Sequence, residues 1–142
     1  MQYIEGIYQK LRSSGLRPTK QRIQISKILF KSNETFHFTI LDLGKMIKKE
    51  FQEKISVATI YNTVHAFQKK GYLKEIHIDG NRKYYDTNTN DHHHFFDEDS
   101  QTLKDLDKSE IHISKIPNSP INKKIKSVEV LIRLANYNQN QR

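Results

Sequence analysis

The stretch Ser56-Val57-Ala58-Thr59-Ile60-Tyr61-Asn62-Thr63-Val64-His65-Ala66-Phe67-Gln68-Lys69-Lys70-Gly71 decides the fold of this chain. A helix starts near Ser56 and stops at Gly71, a favoured residue just past a helix end. On a helical wheel Val57, Ile60, Val64 and Phe67 collect on one side, which predicts a core face. Ala58, Asn62, His65 and Lys69 collect on the other. That side is small toward its N-terminal end, which permits close approach to base edges. Its Asn62 carbonyl oxygen can accept from adenine N6 while the amide donates to N7. Tyr61 flanks this strip and could lay its ring against a thymine methyl. A lone helix of this kind is ordinarily a solvated amphipathic helix; the segments on either side decide otherwise here.

After Gly71 the period changes from helical to alternating. Tyr72 to Ile78 and Arg82 to Asp86 are β-prone and are separated by Asp79-Gly80-Asn81, a hairpin signal. Before Ser56, Tyr3, Ile4, Ile7, Tyr8 and Leu11 fall at helical spacing and end at Ser13-Ser14-Gly15. Thr19 is a natural N-cap or first-turn residue for a second helix carrying Ile23, Ile28 and Leu29. A third begins near Thr39, burying Ile40, Leu43 and Ile47 with Lys45, Lys48 and Lys49 in solvent. Helices followed by a hairpin make a winged-helix layout over residues 1–86. Residues 87–91 lack apolar side chains and read as a linker. Residues 92–142 form a second domain, with short strands near His92 to Phe96, Gln101 to Leu106 and Ile125 to Leu134 and a fraying tail from Asn136 to Arg142. The fold class is therefore α+β, an N-terminal winged helix-turn-helix followed by a small second domain.

Charge divides along the same boundary. Residues 1–86 hold 16 Lys and Arg against 8 Asp and Glu, whereas residues 87–142 hold 8 against 8, so the whole formal charge of +8 sits in the first part. A polyanion-binding half joined to a neutral half explains that split, and a need for solubility alone does not. Arg17, Arg22, Arg82 and Lys83 rim the proposed reading face and are candidates for phosphate contacts, which fix register without reading sequence; Ala58, Thr59, Tyr61, Asn62 and His65 are the candidates along the helix itself. No apolar run approaches the length of a membrane span and no secretory order opens the chain, which predicts a cytoplasmic protein with no membrane partner. Cys is absent, so disulfides and Cys-ligated structural zinc are excluded and any metal must be held by His, Asp and Glu.

Three motifs then carry a family resemblance: Leu16-Arg17-Pro18-Thr19-Lys20-Gln21-Arg22, Ser56 to Val64, and Tyr84-Tyr85 before Asp86. Their order resembles the ferric uptake regulator (Fur) family over nearly the whole chain. A narrower resemblance is to the iron response regulator Irr, through Tyr85-Asp86-Thr87-Asn88 followed by His92-His93-His94-Phe95 and a final strand. The resemblance implies an N-terminal winged helix-turn-helix followed by a small α/β dimerisation domain, in a repressor that binds double-stranded DNA as a homodimer and is regulated by iron status or haem, acting when iron is scarce. It implies a basic minor-groove residue at Arg17 and a base-reading pair at Tyr61 and Asn62. Asn62 stands where Fur proper commonly has Arg, which alters the expected operator preference. The paired zinc cysteines of many relatives are missing, as is the Cys-Pro haem motif of some Irr proteins.

In an extended segment His92 and His94 share one face and His93 points to the other, so two imidazoles can approach one ion with carboxylates completing the shell. The Fur-like pattern implies His37, Asp86, His92, His94 and Asp105 as one metal site for Fe, Mn or Zn. A second set, for haem or another ion, would use His92, His93, His94 and Glu129, although Asp91 stands there where relatives carry His. Neutral imidazole is an ordinary axial ligand to haem iron, and a haem-delivering protein would then be a partner. No nucleophile elbow, P-loop or dinucleotide fingerprint is present, and without Cys no thiol nucleophile exists, so the chain reads as no enzyme. A His/Asp metalloenzyme and a haem- or metal-storage module are the rivals. Storage leaves the basic first part and Asn62 unexplained.

Overall fold

The computed structural model describes residues 2–137. The chain divides into two compact units, Met1–Thr89 and Asn90–Arg142. In the first unit, helices α1 (Gln2–Ser13), α2 (Lys20–Phe30), α3 (Ile40–Phe51) and α4 (Val57–Lys70) are followed by strands β2 (Lys74–Asp79) and β3 (Arg82–Asp86); the two-residue strand β1 (His37–Phe38) lies between α2 and α3. Each of the last three helices begins at a hydroxyl cap. Thr19 accepts from the Arg22 amide, Ser56 from the Thr59 amide, and Thr39 shares a reciprocal pair of bonds with Asp42. Gly71 ends α4 at φ 91°, a left-handed conformation that a side chain would strain.

Burial of Ile7, Leu11, Ile25, Leu29, Leu43, Ile47, Ile60, Val64 and Phe67 makes one core from all four helices, closed below by Phe38 and Tyr85. Two positions on α4 differ from the wheel. Val57 is 58% exposed, because at the first helical position its side chain stands off the core, and Thr63 is fully buried in its stead. The Thr63 hydroxyl donates to the Thr59 carbonyl at 2.8 Å, which satisfies its only donor and lets a polar residue occupy an apolar position. Ile40 is half-buried rather than fully buried, while Lys45, Lys48 and Lys49 are exposed.

The wing is the antiparallel pair β2–β3, closed at Gly80 (φ 43°), with a bulge between His77 and Asp79. β1 adds to its other edge, giving the order β1-β3-β2 and setting His37 opposite Asp86 and Phe38 opposite Tyr85. The sequence reading did not include β1. Two residues carry no period, and only the pairing with β3 makes them a strand.

In the second unit β4 (His93–Asp97) lies between β5 (Thr102–Leu106) and β6 (Leu131–Leu134), antiparallel to the first and parallel to the second. The final strand is four residues long, not ten. Apart from one 3-10 turn at Lys108–Glu110, residues 107–130 have no regular structure. The β4–β5 turn grips the end of β6: the Glu98 amide donates to the Leu134 carbonyl at 2.9 Å, and Arg133 pairs with Glu98 at 3.3 Å. Expectations for residues 138–142 lie outside the described residues. Among the described residues no helix is long and apolar enough to cross a membrane.

Candidate functional site

Two places bring chemistry-bearing side chains together. The first is the outer strip of α4 and the wing beside it. Ala58, Asn62 and His65 are exposed, Tyr61 is 39% exposed and Thr59 is half-buried, so the polar side of the wheel does face solvent. Tyr61 lies over His65 one helical turn on, with ring centroids 5.6 Å apart and planes within 8°. A groove of 430 Å³ runs between Tyr61, the N-terminal end of α3 at Thr39 and Leu41, and Arg82 and Lys83 of the wing. Behind it the Tyr85 phenol is pushed up to about 12, first by burial and then by the neighbouring Glu75 and Tyr61 oxygens. Leu41, 67% exposed, and Val57 are apolar members of this surface that the sequence reading missed. Leu41 sits one position off the α3 core stripe and gives no periodic signal.

The four basic residues of the rim differ in freedom. Arg17 is exposed just before α2, and Arg22 donates to the Arg17 carbonyl at 3.0 Å, so Arg22 braces the loop that presents Arg17. Arg82 is held by Asp79 across the hairpin turn, at 2.8 Å through Nε. Lys83 pairs with Glu75 on the adjacent strand at 3.3 Å. Both wing cations must exchange a carboxylate for any phosphate they contact. The pairs are solvent-exposed, and such pairs are worth only about 0–1 kcal/mol.

The second place is a set of imidazoles and carboxylates in two parts. Within the first unit, His37 Nε2 lies 3.1 Å from Asp86 Oδ2. Asp86 is fully buried, and its Oδ1 accepts from the Asn88 amide at 2.8 Å. Within the second unit, His92 Nε2 and His94 Nε2 lie 3.1 and 3.2 Å from the same oxygen, Oδ1 of Asp105. One ligand atom from each of these three residues lies within 4.8 Å of the others. His92 and His94 are over nine-tenths buried. The register that sets His94 opposite Asp105 produces this convergence, and strand alternation puts His92 on the same face.

Proton positions sharpen the chemistry. His92 Nδ1 sits 2.5 Å from the Asn90 carbonyl, which can only accept, so Nδ1 carries a proton. In the neutral ring Nε2 then presents a lone pair to the Asp105 oxygen. A cation between two such acceptors would turn their contact into an attraction. A backbone carbonyl fixing one ring nitrogen while the other is turned to a carboxylate is also how metal-ligating imidazoles are usually held.

His93 belongs to neither part. On the opposite face of β4, its Nδ1 accepts from the Val130 amide at 3.0 Å. That nitrogen is thereby occupied and the remaining proton lies on Nε2, so a neutral His93 has no lone pair for an ion. In this geometry His93 stands apart from His92 and His94, with which the sequence pattern groups it and Glu129. Glu129 is exposed and falls outside the convergent group.

The first unit is thus a winged helix with an exposed polar strip on α4, and the second is a small sheet that concentrates imidazole and carboxylate donors. The family model for the ferric uptake regulator family matches residues 13–133, and the chain belongs to this family. It is 32% identical over 103 residues to the peroxide-responsive repressor PerR of Staphylococcus aureus strain Mu50, covering 72% of this chain and 68% of that protein. The fold is that of the Vibrio cholerae ferric uptake regulator (TM-score 0.67, 18% identity, 91% of this chain and 98% of that one). It is equally that of the Pseudomonas aeruginosa ferric uptake regulator with manganese (TM-score 0.66, 17% identity, 93% and 98%).

Proposed function

We propose that this chain is a metal-responsive transcription regulator that binds operator DNA as a homodimer, with one divalent ion held by His37, Asp86, His92, His94 and Asp105. The observation that carries the reading is the pair of buried imidazole nitrogens aimed at a single Asp105 oxygen, one of them with its other nitrogen already committed to a carbonyl. Three donors from the second unit and two from the first each fall short of a full shell. Together they supply three nitrogens and two oxygens with no thiolate, a set that suits Fe, Mn or Zn. In sequence the two parts flank residues 87–91. A shared ion would therefore favour one orientation of the winged helix and, in a dimer, one spacing of the two recognition helices.

The DNA side of the reading is supported by the exposed Tyr61 and Asn62, by the wing, and by the +8 charge confined to residues 1–86. Pairing of two copies is supported by exposed Ile113, Ile116, Ile121, Ile125 and Val128 in a second unit too small to bury them itself. Haem, which the likeness to Irr suggests, is the weaker ligand reading. The rings of His92 and His94, 4.4 Å apart and both turned to Asp105, suit a small ion better than a planar macrocycle. A role in peroxide response, as in the PerR name, would have to act without thiol chemistry, since the chain has no Cys.

Calorimetry with Mn(II) on the chelator-stripped protein tests the shared ion. The wild type should bind one ion per chain at this site, and His37→Ala and His92→Ala should each weaken that same event by at least about 10-fold. Two independent events, one lost from each variant, would separate the units and refute the shared site.

A further inference from the structure

The stacking of Tyr61 on His65 gives the reading strip a feature that hydrogen-bond pairing alone does not supply. A tyrosine at an exposed helical position ordinarily exchanges between two χ1 rotamers. Here the near-parallel imidazole one turn below, at a centroid distance of 5.6 Å, matches an offset stack and favours a single ring position. In that position Tyr61 lines the groove with Leu41 and the wing, and its oxygen acts on the buried Tyr85 phenol. Val57, one turn toward the N-terminus and 58% exposed, extends the apolar side of the same edge. The strip thus pairs an amide, Asn62, with an adjacent apolar edge whose central ring is fixed from below. The only base atom in the major groove that offers apolar contact of this kind is the thymine 5-methyl.

We propose that His65 is a positioning residue for sequence reading: its imidazole holds the Tyr61 ring against a thymine 5-methyl, so discrimination at that base depends on His65 through Tyr61. This rests on the DNA-binding reading above. His65 contributes here as a flat surface beneath the phenol, and its charge state is not what selects the base.

The test uses the full-length dimer and an operator obtained by selection, with fluorescence anisotropy as the readout. Each thymine is replaced in turn by deoxyuridine, which removes only the methyl group. For the wild type one replacement should weaken binding roughly 3- to 10-fold, the range of a single stacked or apolar contact. His65→Ala should bind the intact operator more weakly by a similar factor and show no further loss at that deoxyuridine. His65→Phe, which preserves a stacking surface, should restore the difference, and the salt dependence of His65→Ala should match the wild type. Thermal unfolding of each variant excludes loss of fold, since both residues are exposed. Full deoxyuridine sensitivity in His65→Ala, or failure of Phe to restore it, would overturn the proposal. So would a salt slope lower by about two, which marks one phosphate contact per subunit instead. Binding of intact operator with no sensitivity to any deoxyuridine defeats this inference alone, whereas absence of any operator binding defeats the DNA-binding reading beneath it.

Discussion

Replacing Asn62 with alanine should relax sequence discrimination at one adenine while leaving the protein folded. Asn62 is exposed on α4, between the capped start at Ser56 and the Gly71 terminus, and its side chain is not part of the core. A surface change of this kind alters stability by no more than about 0.5 kcal/mol. A bidentate amide–adenine pair carries about 1 to 3 kcal/mol of discrimination, a factor of roughly 5 to 150 at each half-site. A two-fold dimer engages two such pairs, so the loss on a symmetric operator should approach twice that free energy, about 2 to 6 kcal/mol, if the half-sites act independently. Anisotropy titrations at fixed salt, with the operator and the three alternative base pairs at the symmetric positions, measure both quantities. The variant should lose its preference for adenine and keep its preferences elsewhere. Uniform weakening over all sequences with the adenine preference intact would show that Asn62 does not read this base.

Two further perturbations follow from the wing and the core beneath it. Because Lys83 is paired with Glu75, Glu75→Ala should free the cation and tighten non-specific DNA binding, while Lys83→Ala should lower the salt slope by about two, one for each subunit of the dimer; unchanged slopes in both would remove the wing from the phosphate contacts. The Tyr85 phenol, raised by burial to about 12, favours the folded state while protonated: stability should be unaffected up to the ordinary tyrosine range near pH 10 and fall as pH climbs from there toward 12. Denaturant midpoints over that interval should drop less for Tyr85→Phe than for the wild type, and an equal drop would assign the alkaline loss to other groups.

How far the residues alone revealed this molecule depended on whether a feature was periodic. The capped recognition helix, the Asp-Gly hairpin and the alternation that sets His92 and His94 on one face are all short-range regularities, and each has its physical counterpart in the structure. Features set by long-range pairing were not visible. β1 exists because residues 37 and 38 pair with β3, and that register is what opposes His37 to Asp86. The Asn90 carbonyl that fixes the His92 tautomer is a backbone group and leaves no trace in residue type. The hydrogen bond from the Val130 amide, 37 residues away, to His93 Nδ1 likewise leaves no trace in residue type. Between Leu106 and Leu131 the scattered isoleucines follow neither period, so a long final strand was read where the structure has four residues.

Coupling between the ion and DNA remains the most direct measure of the whole account. Operator affinity should be determined for chelator-stripped and Mn(II)-loaded protein at one ionic strength, with His92→Ala alongside. A regulator of this design should show affinities differing by about 5- to 150-fold, the usual range of coupling between two sites, and the variant should show none of that difference. Identical operator affinities with and without the ion, in protein shown to have bound it, would mean that the imidazole–carboxylate set does not govern the reading face.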